Sequence, residues 1–290
     1  MRWLVTGSAG FIGPHFLNLL DGEEVVTLNA RTRLGPIPSG VENHVGDITD
    51  QALVDTLVGR YHPDMLVHFA AESSVTESYD RPLSFVRTNI EGPVVLLEAI
   101  RRLSPTTRLV HVSTDEVYGD QIDMAGVGSP LDPQNPYAAS KAAAEHFIRA
   151  YLRAYPLNIT VVRPSNNWGP GQQLPKFIPA ALEAKRSGIP MTVHNLEVSR
   201  DWLSVFDNVR AIFELAHLRP GIWNIGTGYL TTLGELLHRI GGVPYTVAEE
   251  RPDADRAYHV DAGHTWKTLG WSATPLCQDG RFDEYVKEAR

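Results

Sequence analysis

Thr6-Gly7-Ser8-Ala9-Gly10-Phe11-Ile12-Gly13 is the stretch that decides the fold. A short apolar run, Trp3-Leu4-Val5, leads into it, and a helix-periodic segment, residues 11–20, leads out. Glycine accepts tight turns and carries no Cβ, so the backbone can approach a diphosphate closely. The start of the following helix adds free N–H groups. Three spaced glycines alone describe only a tight turn. At the first β–α junction of a βαβ pattern they stand in the context that a dinucleotide site requires. Gly7, Gly10, Phe11, Ile12 and Gly13 are therefore expected at a cofactor.

Working outward, the alternation continues. Residues 24–28, 65–69, 108–112 and 159–163 read as short buried strands. Residues 51–59, 84–102 and 137–155 read as helices. Alternating elements with apolar strands predict an α/β fold, a Rossmann-type doubly wound parallel sheet. After Arg163 the pattern breaks. Residues 166–179 read as a Gly-, Pro- and Gln-rich loop, 177–187 as a helix, 201–218 as a short strand followed by a helix, and 221–225 as a strand. The expected organisation is a dinucleotide-binding domain over residues 1–165 with return segments at about 199–227. A smaller C-terminal substrate-binding lobe takes 166–198 and 228–290.

The second strand should end in a carboxylate that grips the ribose diol of NAD. It ends in Asn29, with Arg31 and Arg33 close behind. That arrangement suits a 2′-phosphate, so NADP stands beside NAD, although both arginines read equally well as solvated loop residues. Asp47-Ile48 follows the third strand and either meets adenine or is a plain loop before a helix.

Composition narrows the partners. The chain has 290 residues, 26 Lys and Arg against 34 Asp and Glu, and a net charge of −8. An acidic chain with no basic run argues against nucleic acid. The single cysteine, Cys277, excludes an internal disulfide, and the eleven histidines have no metal-ligand spacing. No metal is expected. His68 and His111 sit in apolar runs and read as hydrogen-bonded core residues. No apolar stretch reaches the length of a membrane span, and glycine comes too early for a signal peptide, so no membrane and a cytoplasmic location are expected.

The chemistry is carried by two segments. Tyr137-Ala138-Ala139-Ser140-Lys141 puts a phenol and an ammonium one helical turn apart on one face, after the helix start Asn135-Pro136. A nearby ammonium favours phenolate, so Tyr137 can remove a hydroxyl proton. Ser113-Thr114-Asp115-Glu116-Val117-Tyr118-Gly119 follows a strand, which lets Thr114 share the substrate oxygen. Adjacent carboxyls push each other's pKa values apart and can serve as an acid and a base.

With these motifs the chain resembles the extended short-chain dehydrogenases, and within them the dTDP-glucose 4,6-dehydratases, over nearly its whole length. His68-Phe69-Ala70-Ala71-Glu72-Ser73, Thr88-Asn89-Ile90, Ser165-Asn166-Asn167-Trp168-Gly169-Pro170, Arg200-Asp201-Trp202, Asn224-Ile225-Gly226 and the segment from Arg251 to Tyr258 carry the likeness. The resemblance implies an NDP-hexose 4,6-dehydratase, a hydro-lyase using NAD. It implies Tyr137, Thr114 and Lys141 for oxidation, Asp115 as the acid at the 6-hydroxyl and Glu116 as the base at C5. It places Phe69, Ala70, Ala71, Asn89, Tyr137 and Lys141 at the cofactor. Ser73, Asn166, Asn167, Lys176, Arg200, Asn224, Arg251 and Tyr258 fall at the nucleotide-sugar substrate.

Several residues depart from that pattern. Trp168 replaces a tyrosine, Pro175 replaces an acid, residues 191–197 lack a base-stacking aromatic, and the loop 120–133 is short. The base and the sugar stay open. A UDP-sugar epimerase or decarboxylase is the second reading, and a non-catalytic cofactor-binding sensor the third. Leu96, Leu97, Ile100, Phe147, Ile148 and Tyr151 exceed what one sheet face needs, which together with the resemblance predicts a homodimer through a four-helix interface.

Overall fold

The computed structural model describes residues 1–30, 38, 40–120, 123–249 and 256–288. In the first half, strands β1 (Arg2–Thr6), β2 (Glu24–Asn29), β3 (Glu42–Val45), β4 (Met65–His68), β5 (Arg108–Val112) and β6 (Asn158–Pro164) are interleaved with helices. These are α1 (Gly13–Leu17), α2 (Gln51–Tyr61), α3 (Val75–Asp80), α4 (Pro82–Val86), α5 (Gly92–Leu103) and α6 (Pro136–Ala154). The second half holds β7 (Asn166–Trp168), α7 (Phe177–Ser187), β8 (Met191–Val193), β9 (Ser199–Ser204), α8 (Val205–Ala216) and β10 (Ile222–Ile225). It ends with β11 (Leu230–Thr232), α9 (Leu233–Ile240), β12 (Tyr245–Val247), β13 (Ala257–Tyr258), α10 (Gly263–Leu269) and α11 (Gly280–Glu288).

The main sheet runs β10-β6-β5-β4-β1-β2-β3 and all its pairs are parallel. Its inner strands are largely buried because helices cover both faces, while the edge strand β3 is polar and mostly exposed. Trp3, Val5, Val67 and Val110 pack with residues of α1 and α8, while Leu4, Leu66, Leu109 and Ile159 pack with those of α2, α5 and α6. The chain proceeds from β1 through β2 to β3 on one side and from β4 onward on the other. The reversal opens a crevice at the carboxyl ends of β1 and β4, where such sheets bind ligands.

The small lobe is organised by β9. Its first residues pair with β11 and β13, and its last with β7. Trp168, Ile178, Trp202, Leu236 and Phe282 form its core. The return to the main sheet therefore begins at α8, not at residue 199, because β9 has its hydrogen-bonding partners in the small lobe.

Three local expectations change. The helix over 11–20 is α-helical only from Gly13 to Leu17, after which Leu19 and Leu20 take tighter bonds to Phe16 and Leu17. The helix over 84–102 contains a π turn at Arg87–Glu91. Pro93 has no N–H for the carbonyl of Asn89 and its ring crowds that carbonyl, which favours the wider turn. The loop over 166–179 contains β7, held by its pairing with β9. No helix among the described residues is long and apolar enough to cross a membrane.

Candidate active site

The glycine loop has the shape of a cradle. Gly7 has φ +71°, and a Cβ there would come within 2.4 Å of the Ala70 nitrogen. Phe69-Ala70-Ala71, leaving β4, thus lies directly against the loop. A Cβ on Gly13 would come within 2.4 Å of Ser8, so the third glycine lets α1 start on top of the turn. Gly10 is freer, its nearest neighbour being the Gly7 oxygen at 3.3 Å. Phe11 and Ile12 are half-buried beside it. With α1 only five residues long and Pro14 in its first turn, anion binding here rests on loop amides more than on a helix dipole. This backbone fits a dinucleotide diphosphate.

Asn29 supports that loop from beneath. Its Oδ1 accepts from the Ala9 N–H at 2.8 Å, and its Nδ2 donates to Ser8 Oγ and Asn43 Oδ1, both at 2.9 Å. With the amide engaged in this way, Asn29 reaches a cofactor through the loop and not through its own side chain. Asp47 is exposed at the correct edge, but its Oδ1 accepts from the Thr49 N–H and hydroxyl. Ile48 is a core residue against Gly92. Arg31, Arg33 and Arg251 lie outside the described residues.

The catalytic groups arrive from two elements. Asn135 caps α6, its Oδ1 accepting from the Ala138 N–H at 2.8 Å, which sets Tyr137 and Lys141 on the inward face. Lys141 Nζ donates to the Val112 carbonyl at 2.6 Å, tying α6 to the end of β5. Burial pulls its ammonium down to about 8, against the opposing pull of Glu145. Tyr137 hydrogen-bonds Thr114, while burial and the Glu116 charge push its phenol up.

Beyond β5, Asp115–Tyr118 form a 3-10 turn capped by Thr114, whose Oγ1 accepts from the Glu116 N–H at 3.3 Å. Both acids are buried. Burial pushes Asp115 well above the usual carboxylate range, and Glu116 and Asp201 add to the effect while Arg200 opposes it. Among the described residues Asp115 Oδ2 has no hydrogen-bond partner. Burial also raises Glu116, but Asn135 Nδ2 donates to it at 3.1 Å, and Lys176 and Arg200 pull it back down. Both carboxyls are raised, Asp115 further than Glu116, so the pair is asymmetric and Asp115 is the one that holds a proton more readily.

Several supports are not readable as site residues from spacing. Asn135 is evident as a helix cap, but its second bond, to Glu116, depends on tertiary structure. Asn89 lies in the π turn and bonds Glu72 at both N–H and carbonyl and Ser140 Oγ, each at 2.9 Å. It clamps the segment after β4 to α6 and is 1% exposed. His68 Nδ1 meets Thr6 Oγ1 at 2.6 Å, as a core histidine should, and burial pushes it down to about 3. His111 differs from expectation. It is buried, and neither ring nitrogen has a hydrogen-bond partner among the described residues.

On the substrate side, Lys176 Nζ donates to the Ser73 carbonyl at 2.8 Å, bridging the lobes. Arg200 lies over the Tyr258 ring at 4.3 Å. Asn166 presents a buried Oδ1 without a hydrogen-bond partner among the described residues. Asn167 is engaged by Asn208 and by the Ser165 carbonyl. Asn224 is fully buried, accepting from Tyr118 and donating to the carbonyls of Ala125 and Asp261, so it struts the segments around it. Two aspartates do unforeseen work. Asp201 accepts from the Thr227 and Gly228 N–H groups, and Asp120 accepts from those of Arg256 and Ala257.

Comparison with known proteins agrees with this geometry. Residues 3–226 match the family described as NAD dependent epimerase/dehydratase. A dTDP-glucose 4,6-dehydratase of Xanthomonas campestris is 36% identical, over 96% of this chain and 90% of its own. The crystal structure of DesIV, a dTDP-glucose 4,6-dehydratase from Streptomyces venezuelae with NAD bound, superposes with a TM-score of 0.90 at 34% identity, covering 99% of this chain and 96% of that one. A UDP-glucose 4-epimerase from Thermus thermophilus, also with NAD, gives a TM-score of 0.90 at 30% identity, covering 100% and 99%. The backbone alone therefore does not separate the two activities.

Proposed function

The chain belongs to the NAD-dependent epimerase/dehydratase family, and we propose that within it this protein is an NDP-hexose 4,6-dehydratase, with dTDP-glucose as the leading substrate. One observation carries the choice: the buried, asymmetric Asp115–Glu116 pair beside Tyr137. C4 epimerisation needs only oxidation and re-reduction at one carbon. Loss of water across C5 and C6 needs an acid and a base in addition.

When bound, NAD supplies the hydride acceptor for C4 and, after water loss, the hydride donor for C6. Gly7, Gly10, Gly13 and the segment Phe69–Ala71 would hold it. Tyr137 removes the 4-hydroxyl proton, with the Lys141 ammonium and the Thr114 hydroxyl stabilising the phenolate. The C4 ketone acidifies the C5 proton, which Glu116 takes. Asp115 gives its proton to the departing 6-hydroxyl. Lys176, which bears on Glu116, Arg200, which bears on both carboxyls, and Asn166 and Tyr258 face the sugar nucleotide from the small lobe.

The test is incubation of the purified protein with NAD and, separately, dTDP-, UDP-, GDP- and CDP-glucose, followed by mass and NMR analysis of the sugar. A 4-keto-6-deoxy product supports the proposal. Inversion at C4 with no loss of water would replace it by the epimerase reading.

We further propose a homodimer, on a surface that keeps Phe147 of α6 from the face the sequence suggested and leaves out that face's buried residues. Leu96, Leu97, Ile100 and Ile148 are consumed by the subunit's own core. Leu83, Val86, Phe147 and Leu152 are the exposed apolar residues on α4 and α6, which pack against each other. Sedimentation at micromolar concentration should give a dimer, and Phe147→Glu should weaken it.

A further inference from the structure

Beneath the acids runs a buried polar chain that the chemistry does not use directly. Glu145 lies on α6, one turn beyond Lys141. Ser113 Oγ donates to Glu145 Oε1 at 2.6 Å, and Arg163 Nε donates to the same carboxylate at 3.0 and 3.2 Å. Arg163 and Glu145 are 0% and 1% exposed. The second arm of Arg163 donates to the Tyr118 hydroxyl and its guanidinium lies over that ring at 4.7 Å. Tyr118 in turn donates to Asn224 Oδ1 at 2.8 Å. Ser113 and Tyr118 are the two ends of the segment that carries Thr114, Asp115 and Glu116. The same ion pair thus grips that segment at both ends, one through each partner.

We propose that Glu145 and Arg163 are positioning residues that hold the acid–base segment 113–118 in register with Tyr137. A buried ion pair is poor evidence of stability for its own sake, because apolar residues of similar size often serve as well. Its use is geometric: the carboxylate and the planar guanidinium fix directions that apolar contacts do not. Glu145 also bears on Lys141, raising its ammonium against burial. The charged and titratable groups around Lys141 are Tyr137 and Glu145 on α6, His68 on β4 and His111 on β5. Both histidines are held neutral by burial, so Glu145 is the charge that counts.

This inference rests on the hydride-transfer reading of the site, and the tests separate the two. Ser113→Ala and Tyr118→Phe each remove one grip without leaving a buried charge unpaired, so both should fold. Each should lower kcat about 5- to 50-fold with KM within about threefold, as expected for loss of alignment and not of binding. Hydrogen exchange of the cofactor-free protein should accelerate in residues 113–119 and nowhere else. The double variant Glu145→Leu with Arg163→Met, compared with Glu145→Leu alone, should recover much of the melting temperature but not kcat, and its alkaline limb should move to lower pH because Lys141 has lost Glu145. If Ser113→Ala and Tyr118→Phe both keep kcat within about twofold and exchange in 113–119 is unchanged, the positioning role is wrong. If the wild-type protein shows no hydride transfer with any nucleotide sugar, the functional reading fails instead, while the exchange result still decides the grip.

Discussion

The two halves of the site are built by different means. Tyr137 and Lys141 come from one regular helix, and the geometry between them follows from a four-residue spacing. Thr114, Asp115 and Glu116 come from an irregular turn after β5, and their geometry depends on Asn135, Glu145 and Arg163 reaching in from elsewhere. The helix half needs one positive charge near a phenol. The turn half must hold two carboxyls out of water and keep them different. It does so by leaving Asp115 Oδ2 unpartnered while giving Glu116 an amide donor and two cations. One fold can therefore keep its oxidation chemistry and vary the later steps, which fits an epimerase and a dehydratase superposing on this chain equally well.

The sharpest way to break the comparison is Tyr137→Phe. It removes the proton acceptor for the first step, so both halves stop. Turnover should fall about 1,000- to 10,000-fold with nucleotide-sugar affinity changed little. Single-turnover nicotinamide absorbance and calorimetry would read this, and near-full activity would remove Tyr137 from its role. Asp115→Asn and Glu116→Gln should strike one half only. Loss of water should slow about 100- to 1,000-fold while oxidation at C4 persists. Exchange of the C5 proton with deuterated solvent should continue in Asp115→Asn and fall in Glu116→Gln. If oxidation collapses as far as water loss in both, the halves are not separable.

The same division explains what the sequence disclosed. The parallel sheet, the glycine cradle and the Tyr–Lys face were legible because each follows from local spacing: short apolar runs, glycines at a β–α junction, and i,i+4 on a helix. The π turn was not, because residues 84–102 keep helical periodicity across it and only Pro93 signals the disturbance. The small lobe was poorly legible. Its strands are two to six residues long and are specified by long-range clamps such as Asp201 on residues 227–228 and Asp120 on residues 256–257. Asn224 and Asn89 were singled out at ligands, but a residue type does not reveal whether its polar atoms face a ligand or a neighbouring carbonyl. Four of the residues expected at a dimer face, Leu96, Leu97, Ile100 and Ile148, lie in the subunit's own core for a related reason. Helical periodicity marks apolar residues without saying whether the sheet or a second subunit covers them.

A smaller effect is expected at the cradle that both halves share. Gly7→Ala would force a backbone with φ +71° onto an L side chain and drive its Cβ into the Ala70 nitrogen. Such strain costs about 1–3 kcal/mol. Relieving it displaces the segment against which the cofactor packs, so NAD affinity should weaken by about tenfold or more. Calorimetric titration with NAD measures it, and wild-type affinity would show that the cradle is looser than this geometry requires.

The smallest effect is on stability, and it tests the asymmetry of the turn half without any substrate. Burial raises the folded-state pKa of Asp115 well above its ordinary value of 3.8, with Glu116 and Asp201 adding to the shift. A carboxyl whose pKa is raised on folding binds its proton more tightly in the native state. Its contribution is fully present below the unfolded pKa and is lost as pH rises through the window up to the folded pKa. Within that window each such group costs about 1.4 kcal/mol per pH unit. Asp115→Asn removes the titration, so urea unfolding between pH 5 and about 7 should show a shallower decline in stability than wild type. The variant should therefore be relatively more stable at neutral pH than at acid pH, a trade of stability against activity typical of catalytic carboxyls. Identical slopes in the two proteins would mean that Asp115 is ionised in the free enzyme. Asp115 could not then be the proton donor to the leaving hydroxyl, and the difference between the two acids would have to arise only when substrate binds.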